Sequence, residues 1–224
     1  MSPAEEESLL VIAAHPDDEC LGAGGTIAKH VAQGTPVDVL CLTGNEVRNR
    51  ELRAACRRLG VRKTFVSSRD DFGIDLTARD QVVSVILESR PAAVITHSSD
   101  DYNHNHVLCS QVVTQAIEWA SHVTLHDDAH RVGRVYFMEV NSIMSHPHVL
   151  IDITEYYQTA VAALQEHASQ ITKAEGFYPR LYDARTRLRG VQGACERAEA
   201  FMMTLPEHAG PFYPRNTSRS LLGL

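Results

Sequence analysis

Two short segments of the sequence are rich in side chains that commonly bind metal ions. The first is His15-Pro16-Asp17-Asp18, and the second, residues 97–106, contains His97, His104 and His106. Two imidazoles and one carboxylate, with a fourth position left for water, are typical of a catalytic zinc site. Zinc lowers the pKa of a bound water to about 7 and polarises a carbonyl oxygen, as amide hydrolysis requires. A neighbouring carboxylate can take the proton of that water and later deliver it to the leaving amine.

The first half of the chain alternates short apolar runs with helical patterns, which predicts how the two segments come together. We expect strands at residues 9–14, 37–42, 64–66 and 92–96, and helices at 22–33, 46–59, 78–89 and 105–120. Four strand–helix units in a row favour an α/β fold with a Rossmann-like, doubly wound, mostly parallel sheet flanked by helices. With strand order 3-2-1-4-5, the first and fourth strands border the switch point where ligands bind. Both strands run directly into the metal-type segments.

The second half of the chain is expected to extend this sheet and to complete the site. Its patterns predict strands at 135–138 and 148–151 and helices at about 155–170 and 186–203. The tail from Pro206 is rich in Pro, Gly and Ser, and we expect it to cover the site or an oligomer interface. With no internal repeat or long linker, we expect a single domain over 1–224, with a Rossmann-like core at about 8–140 and residues 141–224 completing the site.

Composition narrows the classes of partner and compartment. The chain has 224 residues, enough for one α/β domain, and its net charge of −7 argues against a general nucleic-acid binder. The apolar stretch near the start, residues 9–14, is too short to span a membrane and lacks the basic lead of a secretory signal. Five dispersed cysteines fit reduced thiols rather than a disulfide framework. These features predict a cytoplasmic protein with no membrane partner.

Each motif also has a simpler structural interpretation. The His15–Asp18 segment could be a polar turn that caps the next helix, and residues 102–106 could form a surface turn. Their occurrence together at adjacent strand ends favours a metal site over two unrelated turns. The glycines Gly22, Gly24 and Gly25 do not match the dinucleotide fingerprint, because the third glycine is misplaced.

These residues also carry a family resemblance. Residues 14–19, Ala-His-Pro-Asp-Asp-Glu, with the three glycines that follow, resemble the signature of the PIG-L/LmbE-like deacetylases, which include zinc-dependent N-acetylglucosaminyl deacetylases. Further segments resemble later blocks of that family. They are Arg48 to Gly60, Asp101-x-Asn103-x-Asn105-His106, Ser169-Gln170, and 189–201.

The resemblance implies a role for each matching residue. His15, Asp18 and His106 would bind zinc, although iron, cobalt or manganese could use the same ligands. Asp17 would be the general base. Arg48 would contact substrate hydroxyls, unless it is a helix-surface arginine paired with a nearby glutamate.

Two other histidines are further candidates for the substrate pocket. His97, at the end of the fourth strand, would line the pocket or be a satisfied core histidine. His104 could reach the leaving nitrogen.

The sequence departs from the family pattern at two positions. Asn103 stands where many members have a histidine, and Asn105 stands where an aspartate is usual. An amide can donate a hydrogen bond to a developing oxyanion but cannot deliver a proton. Asp17 would then have to act as both base and acid, and Asn105 would keep hydrogen bonding without the charge.

The resulting functional hypothesis is zinc-dependent removal of an N-acetyl or other N-acyl group from an amino-sugar or glycosyl small molecule. The alternatives are an amidase of a bulkier N-acyl conjugate and a metal-binding protein with weak or no catalysis. A nucleotide-binding Rossmann protein is a further alternative. Because members of the family are often trimers or hexamers, the resemblance also implies a homo-oligomer.

Overall fold

A seven-stranded, mostly parallel sheet forms the centre of the computed structural model, which describes residues 8–204. The strands are β1 (Leu9–Ala13), β2 (Val37–Cys41), β3 (Lys63–Phe65), β4 (Ala93–His97), β5 (Arg134–Met138), β6 (Val149–Asp152) and β7 (Ala198–Met203). The helices are α1 (Asp18–Ala32), α2 (Glu46–Leu59), α3 (Leu76–Ser89), α4 (His104–Ala120), α5 (Tyr157–Leu164), α6 (Ala168–Ile171) and α7 (Phe177–Gln192).

The order of the strands confirms the predicted doubly wound topology. The sheet runs β3-β2-β1-β4-β5-β7-β6, so β1 and β4 are neighbours at the switch point. The first five strands pair in parallel, whereas β7 pairs antiparallel with both β5 and β6. The carboxyl ends of β1 and β4 therefore open at the same edge of the sheet, as the site requires.

The predicted helix over 186–203 is wrong beyond residue 192. Helix α7 ends at Gln192, and β7 begins six residues later, where it is inserted between β5 and β6. Alanine, glutamate and methionine in this strand favour a helix, but two neighbouring strands and burial of the segment override that local preference. The predicted helix over 155–170 is a 3-10 turn followed by α5 and α6. The tail from Pro206 lies outside the described residues.

Helices cover the sheet on both faces, and β1 is buried between them. All five residues of β1 are buried, with Leu10 and Ile12 packed in the cluster that includes residues of α3 and α4. Val11 and Ala13 face the opposite cluster, which includes residues of α1, α2 and α5. A strand that is buried on both faces holds the turn after it in a fixed position.

The glycines after the first metal-type segment serve close packing of α1. A Cβ atom on Gly25 would lie 2.7 Å from Ile153, so only glycine allows this approach. The carboxylate of Glu199 on β7 also accepts the backbone N–H of Gly25 at 2.9 Å. These contacts fix the helix that begins at Asp18.

None of the helices within residues 8–204 combines the length and apolar character needed to cross a membrane.

Candidate active site

The turn between β1 and α1 supplies the first wall of the site. Asp18 is the first residue of α1, and its Oδ2 accepts the backbone N–H of His15 at 2.8 Å. The same oxygen lies 3.1 Å from Nδ1 of His15. The turn therefore folds the imidazole and the carboxylate towards each other.

The start of α4 supplies the facing wall. Nε2 of His106 lies 3.3 Å from Oδ2 of Asp18, across the junction of β1 and β4. The ligand atoms of His15, Asp18 and His106 all lie within 4.8 Å of one another. Two imidazole nitrogens and one carboxylate oxygen that converge in this way fit a divalent transition metal with an open position.

Asp101 contacts His106 at Nδ1, the ring nitrogen that does not face Asp18. Its Oδ2 lies 3.1 Å from Nδ1 of His106, and its Oδ1 accepts the backbone N–H of Asn103 at 2.9 Å. Burial alone would raise the pKa of Asp101, but the hydrogen bonds from His106 and Asn103 lower it to about 2. An ionised acceptor at Nδ1 keeps the proton there and leaves Nε2 free to bind a metal.

Asp17 has an unusual backbone conformation. Its φ of 121° lies in the region that side chains other than glycine rarely adopt, at a cost of about 1–3 kcal/mol. Its carboxylate is buried and lies 3.2 Å from Arg48, whose guanidinium also donates to the carbonyl of Pro16 at 2.5 Å. Burial and the charge of Asp18 raise the pKa of Asp17 well above its ordinary value, against the opposing charge of Arg48. A carboxyl with a raised pKa is suited to accept and return a proton near neutral pH.

The two asparagines that replace the family's residues keep hydrogen bonds of their own. Oδ1 of Asn103 accepts the backbone N–H of Asn105 at 2.9 Å, which caps α4 and leaves the amide nitrogen of Asn103 to donate elsewhere. The side-chain amide of Asn105 lies 3.2 Å from Nε2 of His15. With its oxygen turned to this contact, the amide accepts a hydrogen bond from Nε2–H and leaves Nδ1 of His15 for the metal.

A cavity of about 180 Å³ opens beside these groups. It is lined by His15, Asp17, Asp18, Arg48, Asn103, His106, Asn141, Gln170 and Tyr178. The last three were not among the residues expected from the sequence. Gln170 belongs to a segment that was noted only for its resemblance, and Tyr178 lies in α7, whose start was not predicted.

His97 and His104, both candidates for the substrate pocket, are not among the residues that line this cavity. His97 has no exposed surface, and its Nε2 accepts the backbone N–H of Ala14 at 2.9 Å. Its ring stacks on His106 with centroids 4.0 Å apart, and burial lowers its pKa to about 4. A neutral, buried ring in this position supports the packing of His106. His104 is exposed at the first residue of α4 and is not one of the residues that line the cavity.

The fold and these residues together define a Rossmann-like α/β protein with a metal-type ligand set at the switch point of the sheet. Residues 10–117 match the family model described as PIG-L, GlcNAc-PI de-N-acetylase. This match covers just under half of the chain and agrees with the resemblance that the first motif indicates.

Two curated relatives are deacetylases of N-acetylglucosaminyl small molecules. One is the 1D-myo-inositol 2-acetamido-2-deoxy-α-D-glucopyranoside deacetylase of Nocardioides sp., 28% identical over 93% of this chain and 86% of the relative. The other is a probable N-acetyl-α-D-glucosaminyl L-malate deacetylase of Bacillus cereus, 25% identical over 74% of this chain and 84% of the relative.

Solved structures share the fold. A conserved protein of Thermus thermophilus aligns with a TM-score of 0.83 and 26% identity, over 93% of this chain and 99% of that one. The 4-carboxy-2-hydroxymuconate hydratase of Pseudomonas putida aligns with a TM-score of 0.78 and 24% identity, over 92% and 100% of the two chains. Since a hydratase has the same fold, the fold alone does not identify the reaction, which depends on the side chains of the site.

Proposed function

We propose that the protein is a metal-dependent deacetylase that hydrolyses the N-acetyl group of an N-acetylglucosaminyl small molecule. The observation that carries this proposal is the convergence of His15, Asp18 and His106 within 4.8 Å, beside the buried carboxylate of Asp17. The names of the curated relatives support the choice of an acetamido sugar as substrate.

The metal we propose is zinc, held by Nδ1 of His15, Oδ2 of Asp18 and Nε2 of His106. Zinc bound there would supply a Lewis acid that acidifies water and polarises the acetamide carbonyl. Iron, cobalt or manganese would fit the same ligands, so metal content must be measured.

Asp17 is the proposed proton acceptor for the attacking water. Its raised pKa suits a group that takes a proton from water and then gives it to the leaving amine. Arg48, 3.2 Å from Asp17, holds that carboxylate in place and lines the cavity where sugar hydroxyls would bind. The free amide nitrogen of Asn103 is the proposed donor to the developing oxyanion.

The polar lining of the cavity also supports a hydroxylated substrate. Besides the proposed catalytic groups, Asn141, Gln170 and Tyr178 offer amide and phenol groups to it. A sugar ring presents hydroxyls that can pair with such groups, whereas an apolar acyl chain would leave them unpaired. This lining favours the deacetylase over an amidase of a bulkier acyl conjugate.

The test is a screen of the zinc-loaded protein with N-acetylated sugars and glycosides, in which released acetate and free amine are both measured. We expect hydrolysis of an N-acetylglucosaminyl compound, and loss of it in His15→Ala, which removes one metal ligand. Larger N-acyl conjugates and an unsaturated dicarboxylate, a substrate for hydration, are assayed in parallel. Turnover of either in place of the acetamido sugars, or full activity of His15→Ala, would refute the proposal.

A further inference from the structure

We propose that a buried Glu19–His167 pair positions the carboxylate of Asp17 by binding its backbone N–H. This inference rests on the proposed function, in which Asp17 is the proton acceptor. Oε2 of Glu19 accepts a hydrogen bond from the backbone N–H of Asp17 at 3.0 Å. Oε1 of Glu19 accepts one from Nε2–H of His167 at 2.7 Å. Glu19 and His167 have no exposed surface.

The recipient of this contact is the residue with the most unusual backbone near the site. Asp17, at a φ of 121°, precedes α1 without a side-chain cap, so its carboxylate is free to face Arg48 and the cavity. A backbone in this region persists only where surrounding contacts hold it. The contact from Glu19 is the one that acts directly on the N–H group of the strained residue.

His167 ties the same turn to the opposite side of the cavity. It immediately precedes α6, and its carbonyl accepts the backbone N–H of Gln170 at 2.9 Å. Gln170 lines the cavity together with Asp17. The pair therefore ties the turn at Asp17 to His167, 148 positions beyond Glu19, and through His167 to Gln170.

A second metal site is a weaker interpretation of the same cluster. Ligand atoms of Glu19, Cys20 and His167 lie within 4.8 Å of one another. Both oxygens of Glu19 already accept hydrogen bonds, one of them from His167 at a distance too short to admit a metal ion between them. The thiol of Cys20 also donates to Glu19, at 3.1 Å. These contacts satisfy the carboxylate without an ion.

The experiment compares His167→Leu, which removes the donor to Glu19, with His167→Gln, which can restore a donor. Hydrogen exchange of the Asp17 amide is measured by NMR relative to that of Val11 in β1. We expect exchange of the Asp17 amide to accelerate at least about tenfold over Val11 in His167→Leu and to recover largely in His167→Gln. This readout needs no activity, so it decides the positioning role even if the proposed deacetylation fails.

Activity then distinguishes positioning from general damage. His167→Leu should lower kcat by about tenfold to a hundredfold, with KM and zinc affinity nearly unchanged, because the metal ligands are untouched. In an Asp17→Asn background it should lower kcat no further. Should His167→Leu fail to fold, Glu19→Leu removes the acceptor of the Asp17 N–H together with the buried charge, and we expect the same acceleration of Asp17 exchange.

The matched control is Glu199→Gln. Glu199 is also buried and accepts two backbone N–H groups of α1, but it does not contact Asp17. We expect this change to lower stability without changing the exchange of Asp17 relative to Val11. Unchanged exchange of the Asp17 amide in His167→Leu, or an equal effect of Glu199→Gln, would overturn the inference. Loss of zinc affinity in parallel with kcat would also overturn it.

Discussion

Replacement of Asp101 by asparagine should weaken metal binding without removing any metal ligand. Oδ2 of Asp101 lies 3.1 Å from Nδ1 of His106 and accepts the backbone N–H of Asn141 at 3.2 Å. Oδ1 accepts the backbone N–H of Asn103 at 2.9 Å. The carboxylate therefore faces three donors and offers no donor itself.

An asparagine cannot satisfy all three donors, whichever way its amide turns. If the NH2 group replaces Oδ2, it faces Nδ1 of His106 and favours the tautomer whose proton sits on Nε2, the atom that would bind the metal. If the NH2 group replaces Oδ1, it faces the N–H of Asn103, and His106 keeps an acceptor that carries no charge. Loss of such a partner typically weakens metal affinity by about 10- to 100-fold, or about 1.4–2.7 kcal/mol.

The measurement is a titration of metal-free protein with zinc in competition with a chromophoric chelator at fixed pH. The matched control is Asp100→Asn, which removes the same charge from an exposed neighbour that does not line the cavity. We expect the control to bind zinc like the unaltered protein and Asp101→Asn to bind it more weakly. Equal affinity for all three proteins would show that Asp101 does not support His106 as a ligand.

Three further changes separate catalysis, oxyanion binding and packing. Asp17→Asn should keep zinc affinity within a few-fold and lower kcat, measured by released acetate, by about 10²–10⁴-fold. Normal turnover in this variant would show that Asp17 is not the general base. Asn103→Asp keeps the helix cap but loses the amide donor, so kcat should fall by about 10²–10³-fold while the thermal midpoint stays near that of the unaltered protein. Gly25→Ala places a Cβ 2.7 Å from Ile153 and should lower the free energy of unfolding by about 1–3 kcal/mol in urea titrations. Gly73→Ala, whose Cβ would meet only an oxygen at 3.8 Å, should be nearly neutral by the same measurement.

The sequence predicts the parallel half of the fold well because its signals there are local. A continuous apolar strand followed by polar residues marks β1 and β4, and the predicted bounds of α2 are those observed, since Gly60 ends that helix in a left-handed conformation. The ligand set is also local, because each ligand follows directly on a strand end or lies at the start of a helix. Topology alone then predicts that the two segments meet.

The remainder of the site depends on contacts between distant parts of the chain. Strand β7 exists because β5 and β6 both pair with it, and nothing within its own sequence requires an extended chain. The positions of Gln170 and Tyr178 depend on how α5, α6 and α7 are arranged around the sheet. Because the segment of β7 was predicted to be helical, this arrangement was not predicted. The contact between Glu19 and His167 joins residues 148 positions apart, so no spacing rule could have predicted it.

The adjacent residues Asp17 and Asp18 have opposite environments, and this difference is the strongest physical argument for separate roles. Burial raises the pKa of both carboxyls. For Asp18 the charge of His106 and the hydrogen bond from it reverse the effect and hold its pKa well below the ordinary value. For Asp17 the charge of Asp18 adds to burial, and the opposing charge of Arg48 does not overcome them.

A metal ligand must be ionised, whereas a general base must be able to hold a proton near neutral pH. Two neighbouring carboxyls whose environments push their pKa values apart meet both requirements. The left-handed backbone at Asp17 supports this separation, because Asp18 faces the imidazoles while Asp17 faces Arg48 and the cavity. The strained backbone at Asp17 therefore lets one carboxylate face the metal ligands and the other face the cavity, as the proposed reaction needs.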